Sequence, residues 1–259
     1  MISARISSLT NSTVEALAAI LDRLTAKQRQ LAALLPLPEP FAASLEHKLR
    51  LELTHASNAI EGNTLTLRET QLLIDEGLTP AGKQLREIHE AINHDAAVKL
   101  LYGVAREPGP ISERQILDLH AQVLRNIDDA WAGRYRATRV FVKGSPLIPP
   151  NPLKVPELME SFAAWLDGAE LHPVLLAAEA HYRLAKIHPF VDGNGRTARL
   201  LMNLVLLRHG YPLTVIPAEQ RADYIKALDL ADLGDPEPFQ RLMLACVERS
   251  LDLSLSVND

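Results

Sequence analysis

Between His188 and Arg199 the chain reads HPFVDGNGRTAR, and these twelve residues supply most of what a reaction at phosphorus needs. Gly193 and Gly195 flank Asn194, and Arg196 follows at the predicted start of a helix. A glycine-rich turn entering a helix gathers unpaired N–H groups and the positive end of the helix dipole, which together make an anion site. Arg196 and Arg199 stand three apart and project from one face of the first turn. Two cations beside an anion nest suit a polyphosphate. Asp192 brings a carboxylate to the mouth of the same nest, which phosphates would repel unless a divalent cation such as Mg²⁺ lay between them. His188, with an ordinary pKa of roughly 6.5, is able to take a proton from an attacking hydroxyl at neutral pH. Alone, each residue has a plain explanation as a cap, a turn or a solvent-facing charge. The functional reading comes from their concentration, in an order where each supplies what another lacks.

The elements that must position these groups are legible on either side. Apolar spacing over Val174–Ile187 predicts a helix that ends at Ile187 or His188, because Pro189 disfavours helical geometry in the residue before it. A second helix is expected from Arg196 to a C-cap at Gly210. Helical patterns also cover Ser12–Leu35, Leu45–Thr54, Leu67–Asp75, Gln84–Tyr102, Val155–Leu166, Glu219–Leu230 and Pro238–Leu253. The segment PLPEP, Pro36–Pro40, stops the first of them, so residues 1–40 are expected to form a helical arm followed by a movable linker. From Gly133 to Pro152 the pattern changes: Val140 and Val142 alternate with Phe141 and Lys143, and Gly144-Ser145 reads as a turn. A short β-hairpin is expected there. The fold class is therefore mainly α with one small hairpin.

Composition narrows the field. The 259 residues carry 27 Lys+Arg against 32 Asp+Glu, a net charge of -5, which argues against a protein that coats nucleic-acid phosphates. Aromatic residues at 5% are too sparse for a single-strand stacking platform. The one cysteine, Cys246, excludes an internal disulfide and a cysteine zinc cluster, and suits a reducing compartment. Apolar runs such as Leu200–Leu207 fall far short of the ~20 residues that span a bilayer. Arg5, Glu15, Asp22 and Arg23 interrupt what would be the apolar core of a secretory signal, so a cytoplasmic protein that does not engage a membrane is expected. There is no G-x-x-x-x-G-K-[ST] loop; the lone His94-Asp95 pair lacks companion ligands, and His89 and His94 are five apart where a helical zinc pair needs four.

HPFVDGNGRTAR resembles the full signature of the Fic family, H-P-F-x-D-G-N-G-R-x-x-R, and the resemblance extends from about Leu45 to Glu248. It implies a Fic-type helical bundle over residues 41–259, and transfer of AMP from ATP to a Ser, Thr or Tyr hydroxyl of a target protein. Under that resemblance His188 deprotonates the hydroxyl and Asp192 holds Mg²⁺ between the α- and β-phosphates. Gly193, Asn194 and Gly195 line the anion hole, with Thr197 and Ala198 in the same nucleotide-binding turn. Arg196 would hold the β-phosphate and Arg199 the γ-phosphate. Gly133–Pro150 resembles the family's flap, with Val140, Phe141, Val142 and Lys143 placed over the nucleotide and an edge that accepts a target segment by strand addition. Tyr224 and Ile225 stand where the family packs adenine, and Asp232 where some relatives have Asn. SNAIEGN, Ser57–Asn63, puts Ser57 and Glu61 on one helix face with Gly62 ending the turn, and it resembles the inhibitory motif (S/T)-x-x-x-E-(G/N). That implies an inhibitory helix at about residues 45–63, with Glu61 paired to Arg199. Two other readings stay open: Glu61 activates a water that removes AMP from a modified protein, or the fold is a nucleotide-responsive interaction module. The intact His188 and Asp192 argue against the module. The expected partners are ATP, a target protein presenting a hydroxyl and, as an open alternative, a second copy of the chain; nucleic acid and membrane are not expected.

Overall fold

The computed structural model describes residues 11–142 and 145–256. These form helices α1 (Asn11–Ala33), α2 (Glu39–Glu61), α3 (Leu67–Glu76), α4 (Leu85–Ala105), α5 (Glu113–Leu124), α6 (Val155–Gly168), α7 (Pro173–Ile187), α8 (Asn194–Arg208), α9 (Arg221–Asp232) and α10 (Glu237–Leu255). Local chemistry sets several ends. Thr66 and Glu69 close a reciprocal capping box on α3, and Ser112 with Gln115 does the same for α5. Pro173 occupies the first turn of α7, where its missing N–H costs nothing. Gly62, at φ 103°, ends α2 immediately after Glu61 in a conformation that a β-carbon would strain.

The bundle is organised around α8. Of its first thirteen residues, Asn194–Leu206, all but Gly195 are buried, as befits a helix surrounded on every side. Helices α7, α4, α5 and α2 pack around it, and α10 packs on α7 and α9. Asn203 ties α8 to the returning chain: its Nδ2 donates to Arg199 O and Thr214 O, both at 3.0 Å, and its Oδ1 accepts from Thr214 N at 2.7 Å. That clasp fixes the segment leading into α9.

Helix α1 lies along α10. Leu24 and Leu31 are buried in this contact, while Arg23 and Lys27 pair with Glu248 at 2.6 and 2.8 Å. Exposed ion pairs add little stability, so apolar burial carries the docking and the charges set the register.

The expected hairpin is not formed. Among the described residues of Gly133–Pro150 there is no strand. Arg136 donates to the carbonyls of Thr138 (3.2 Å) and Pro150 (2.7 Å), which removes them from any ladder. Pro146, Pro149 and Pro150 have no N–H to offer. Among the described residues here, Ser145 N donates to Val142 O at 3.3 Å. Lys143 lies outside the described residues. No helix among the described residues is long and apolar enough to cross a membrane.

Candidate active site

His188 caps α7 in the left-handed region, φ 51° and ψ 57°, a strained setting for a residue with a β-carbon. Three contacts hold it there. Its N–H donates to Leu184 O at 2.9 Å, and its carbonyl accepts from Arg136 Nε at 2.7 Å. Its Nδ1 lies 3.1 Å from Ala185 O. A carbonyl only accepts, so Nδ1 carries the ring proton and Nε2 keeps its lone pair. Burial pushes the imidazole's pKa below its usual value, and the nearby Arg136 charge acts the same way against the pull of the Ala185 carbonyl, so the ring is neutral at pH 7.

The loop from Pro189 to Gly193 is stapled from within. Asn194 Oδ1 accepts from Phe190 N and its Nδ2 donates to Phe190 O, both at 2.9 Å. His120 stacks on Phe190 with ring centroids 3.6 Å apart. Gly133 N donates to His120 Nδ1, so Nε2 bears the proton and donates to Asp192 O at 3.0 Å. Gly193 has φ 76°, and a β-carbon there would meet Val123, His120 and Leu124 at 3.3–3.4 Å. Only glycine fits both the turn and the space. The first intrahelical bond of α8 runs from Thr197 N to Gly193 O, which leaves the N–H groups of Asn194, Gly195 and Arg196 without intrahelical acceptors. An anion nest results.

Asp192 stands beside that nest. Its Oδ1 accepts from Gly193 N at 2.6 Å and from Arg196 Nη2 at 3.3 Å, and its Oδ2 pairs with Arg86. Burial would raise this carboxyl's pKa, but the Arg196 charge, the Gly193 N–H and Arg86 together hold it below the ordinary carboxylate value. Asp192 is therefore ionised. Arg196 also lies 3.3 Å from Glu90, which in turn accepts from Arg86 Nε at 3.2 Å.

Arg199 is 1% exposed and surrounded by acceptors. Ser57 Oγ accepts from Nε and Ser57 O from Nη2, both at 2.8 Å; Glu61 Oε1 accepts from Nη2 at 2.7 Å, and Tyr224 Oη from Nη1 at 3.3 Å. The Glu61 carboxylate lies so close over Gly195 that a β-carbon there would collide with Oε1. Arg221 Nε donates to Ile60 O at 2.6 Å and so pins the end of α2 against α9.

An open cleft lies beside these groups, and its lining includes Glu61, His188, Gly195, Tyr224, Ile225 and Val142. It follows α9 from Arg221 to Asp232, about 16 Å at 1.5 Å per residue. Asp232 accepts from Tyr182 Oη at 3.0 Å and pairs with Lys186 at 3.0 Å. Ser145 Oγ donates to Asp229 Oδ1 at 2.6 Å and ties its segment to α9. Val140 is half-buried outside the lining, and Phe141 is 87% exposed. Thr197 and Ala198 are fully buried in the bundle and do not line the cleft. Tyr224 lines it, but its hydroxyl is turned to Arg199. Arg136, His120, Arg86 and Arg221 carry no spacing signal, because each acts on groups remote in sequence.

The description Fic/DOC family matches residues 110–206. "Protein adenylyltransferase Fic" from Drosophila grimshawi is 40% identical over 238 residues, covering 90% of this chain and 49% of that protein. The Drosophila melanogaster protein of the same name is 44% identical over 202 residues, 77% of this chain and 41% of that protein. The chain thus spans about half the length, or less, of these relatives. Among solved structures, Fic-1 from C. elegans superposes with a TM-score of 0.85 at 34% identity, covering 96% of this chain and 74% of that one. A Fic domain containing signaling protein from Bacteroides thetaiotaomicron gives 0.83 at 32% identity, covering 92% and 96%. With that identity over nearly the whole of both chains, this chain belongs to the Fic/DOC family.

Proposed function

We propose that the chain is an autoinhibited protein adenylyltransferase that moves AMP from ATP to a Ser, Thr or Tyr hydroxyl of a target protein. One observation carries the reading: a neutral His188 with a free Nε2 lone pair and Gly195 of the anion nest line one cleft, with an ionised Asp192 bonded to Gly193 and Arg196 at the start of the same helix. His188 Nε2 takes the proton of the target hydroxyl. The hydroxyl oxygen forms a bond to the α-phosphorus as the bond to the bridging oxygen of pyrophosphate breaks, in line. The nest N–H groups stabilise charge on the phosphate oxygens, and Arg196 and Arg199 neutralise the β- and γ-phosphates. Thr197 and Ala198 serve by packing the first turn of α8.

The residues fit Mg²⁺, which often takes one or two carboxylates and fills its shell with water and phosphate oxygens. Asp192 is such a carboxylate, ionised and 44% exposed beside the nest. Asp192 would hold Mg²⁺ in exchange for Arg86, and the bound ion would supply neutralising charge to the phosphates. The base of the nucleotide would lie along α9 near Ile225 and Asp232, under the Ser145–Asp229 clasp. The exposed segment around Phe141 is where a target segment would lie, and a second copy of the chain is a further candidate partner. A cytoplasmic setting, suited by the single buried Cys246, and a division at residue 40 between an arm and the Fic domain are part of the same proposal.

Glu61 supplies the restraint. It occupies Arg199 and the space over Gly195, where a γ-phosphate would have to be. The same carboxylate is 39% exposed in a cleft that it shares with His188, which favours a second reading in which it orients a water to remove AMP. ATP labelled at the α- or the γ-phosphorus, incubated with the protein and a lysate, separates the outcomes. Protein labelled from the α position, and lost on chelation of Mg²⁺, is expected. Label passing only from the γ position would overturn AMP transfer, and release of AMP from a modified target without any transfer would favour removal.

A further inference from the structure

Arg199 is held from two sides. Helix α2 supplies Ser57 Oγ, Ser57 O and Glu61 Oε1; the opposite side has Tyr224 Oη, 3.3 Å from Nη1. A guanidinium has no acceptor, so the tyrosine oxygen must accept from it. The hydroxyl's own proton then goes to His181 Nε2, 2.9 Å away. That direction requires a lone pair on Nε2 and therefore a proton on Nδ1. His181 Nδ1 is buried without a hydrogen-bond partner among the described residues. A buried donor left alone calls for an explanation. The relay provides it, because the other tautomer would aim an N–H at Tyr224 and strand the hydroxyl proton.

Packing keeps the relay from turning. His181 is fully buried and Tyr224 is 4% exposed. Phe239 closes on both, with ring centroids 5.1 Å from His181 and 6.2 Å from Tyr224. Burial and the Arg199 charge push His181 down to about 3, so the ring stays neutral and the direction of the bonds is fixed at any physiological pH.

We infer that Tyr224, oriented by His181, is a positioning residue for Arg199, holding the guanidinium from the side opposite Glu61 once a γ-phosphate has replaced that carboxylate. When Glu61 leaves, Ser57 still holds Nε and Nη2, and Tyr224 still holds Nη1. The plane stays pinned at both ends, with a donor aimed at the place Glu61 has vacated. Without the tyrosine hydroxyl the Nη1 end is free to tilt. The inference rests on the proposed role of Arg199 as the cation for the γ-phosphate.

The test compares ATP with ADP, because only ATP carries the group that Arg199 would hold. Calorimetric affinities for both are measured in the Glu61→Gly background, alone and with Tyr224→Phe, His181→Leu, His181→Gln or Arg199→Ala added, each checked for an unchanged melting transition. Tyr224→Phe keeps the ring and removes one hydroxyl; it should lower the ATP-over-ADP preference by about tenfold, as for loss of a hydrogen bond to a charged group. ADP affinity should be unchanged. His181→Leu should do the same, and His181→Gln, which can still accept from the hydroxyl, should restore most of the preference. If Tyr224→Phe keeps the preference while Arg199→Ala abolishes it, or if it weakens ATP and ADP alike, the inference is wrong and Tyr224 is a packing residue. If Arg199→Ala itself leaves the preference intact, the role of Arg199 falls and the inference falls with it.

Discussion

The carboxylate of Glu61 lies 2.7 Å from Arg199 Nη2 and over Gly195, so the anion place at the start of α8 is filled by the protein's own side chain. The two partners are unequal. Arg199 is 1% exposed and has nowhere to go, whereas Glu61 is 39% exposed and is able to swing into water. On the proposed reading, release of the site would be a movement of Glu61, with Arg199 left as a fixed cation.

Replacing Glu61 by Gly should raise self-modification or target modification by at least about tenfold, since a charge-assisted pair no longer competes with the γ-phosphate. Arg199→Ala in the same chain should cancel the gain. If Glu61 serves removal of AMP, Glu61→Gly also abolishes release from a pre-modified target, so the two assays move in opposite directions. Neither effect appearing would return Glu61 to the status of a helix-end residue.

Gly195→Ala separates the lock from the nest. The added β-carbon meets the flexible end of Glu61, so the fold should tolerate it and the melting temperature should change little. It also stands 3.1 Å from Arg199 Nη1, in the space a phosphate needs. ATP binding should be lost, and Glu61→Gly should not restore it. Restored binding in the double variant would show that the phosphates lie elsewhere.

His188→Ala should lower transfer by about 10²–10⁴ while ATP binding persists, because the proposed role of the imidazole is to move a proton and not to hold the nucleotide. In the proposed mechanism the neutral ring is the base, and its pKa lies below the ordinary 6.5. Single-turnover transfer should therefore be flat above that value and fall only as the pH drops through the depressed pKa. An acid limb centred above 6.5 would reject His188 as the titrating base.

Arg136 is a buried cation whose guanidinium serves the carbonyls of His188, Thr138 and Pro150. Arg136→Lys keeps the charge and loses the planar fork, so it should cost about 1–3 kcal/mol of stability through unsatisfied carbonyls. Transfer should fall mainly in kcat, since the strained turn that presents His188 loses its support. A variant with wild-type melting and kcat would show that the turn holds itself.

Three histidines are buried neutral, His94 and His181 pushed down to about 3 and His120 to about 4, chiefly by burial. Their folded pKa values lie below the unfolded value of about 6.5. The unfolded chain thus binds more protons below that pH, and stability should be full above pH 6.5 and decline as the pH falls toward 4. Urea unfolding from pH 8 to pH 4 measures this. A midpoint that does not fall below pH 6.5 would mean that these rings are charged or exposed.

What the sequence determined is what short-range chemistry encodes. Pro189 ends α7 at Ile187, Gly193 permits the left-handed turn, and the backbone of α8 then presents its free N–H groups wherever the rest of the chain goes. The motif is contiguous, so its nest forms from neighbours. The 3.6-residue periodicity likewise marked the helices other than α5, because an apolar stripe must be buried regardless of which partner covers it; α5, Glu113–Leu124, which carries His120, was not among the expected helices.

Tertiary structure decided which distant groups meet. Arg199 reaches Ser57 and Glu61 across 142 and 138 residues, and the sequence alone could offer that pair only by resemblance. Arg86 on Asp192, Arg136 on His188 and His120 under the loop left no trace in spacing, since each acts across at least 52 positions. The hairpin failed for the same reason. Alternation in Val140–Lys143 says which side chains face together, but a strand needs a partner for its N–H and C=O groups, and here Arg136 took two carbonyls while prolines removed the donors.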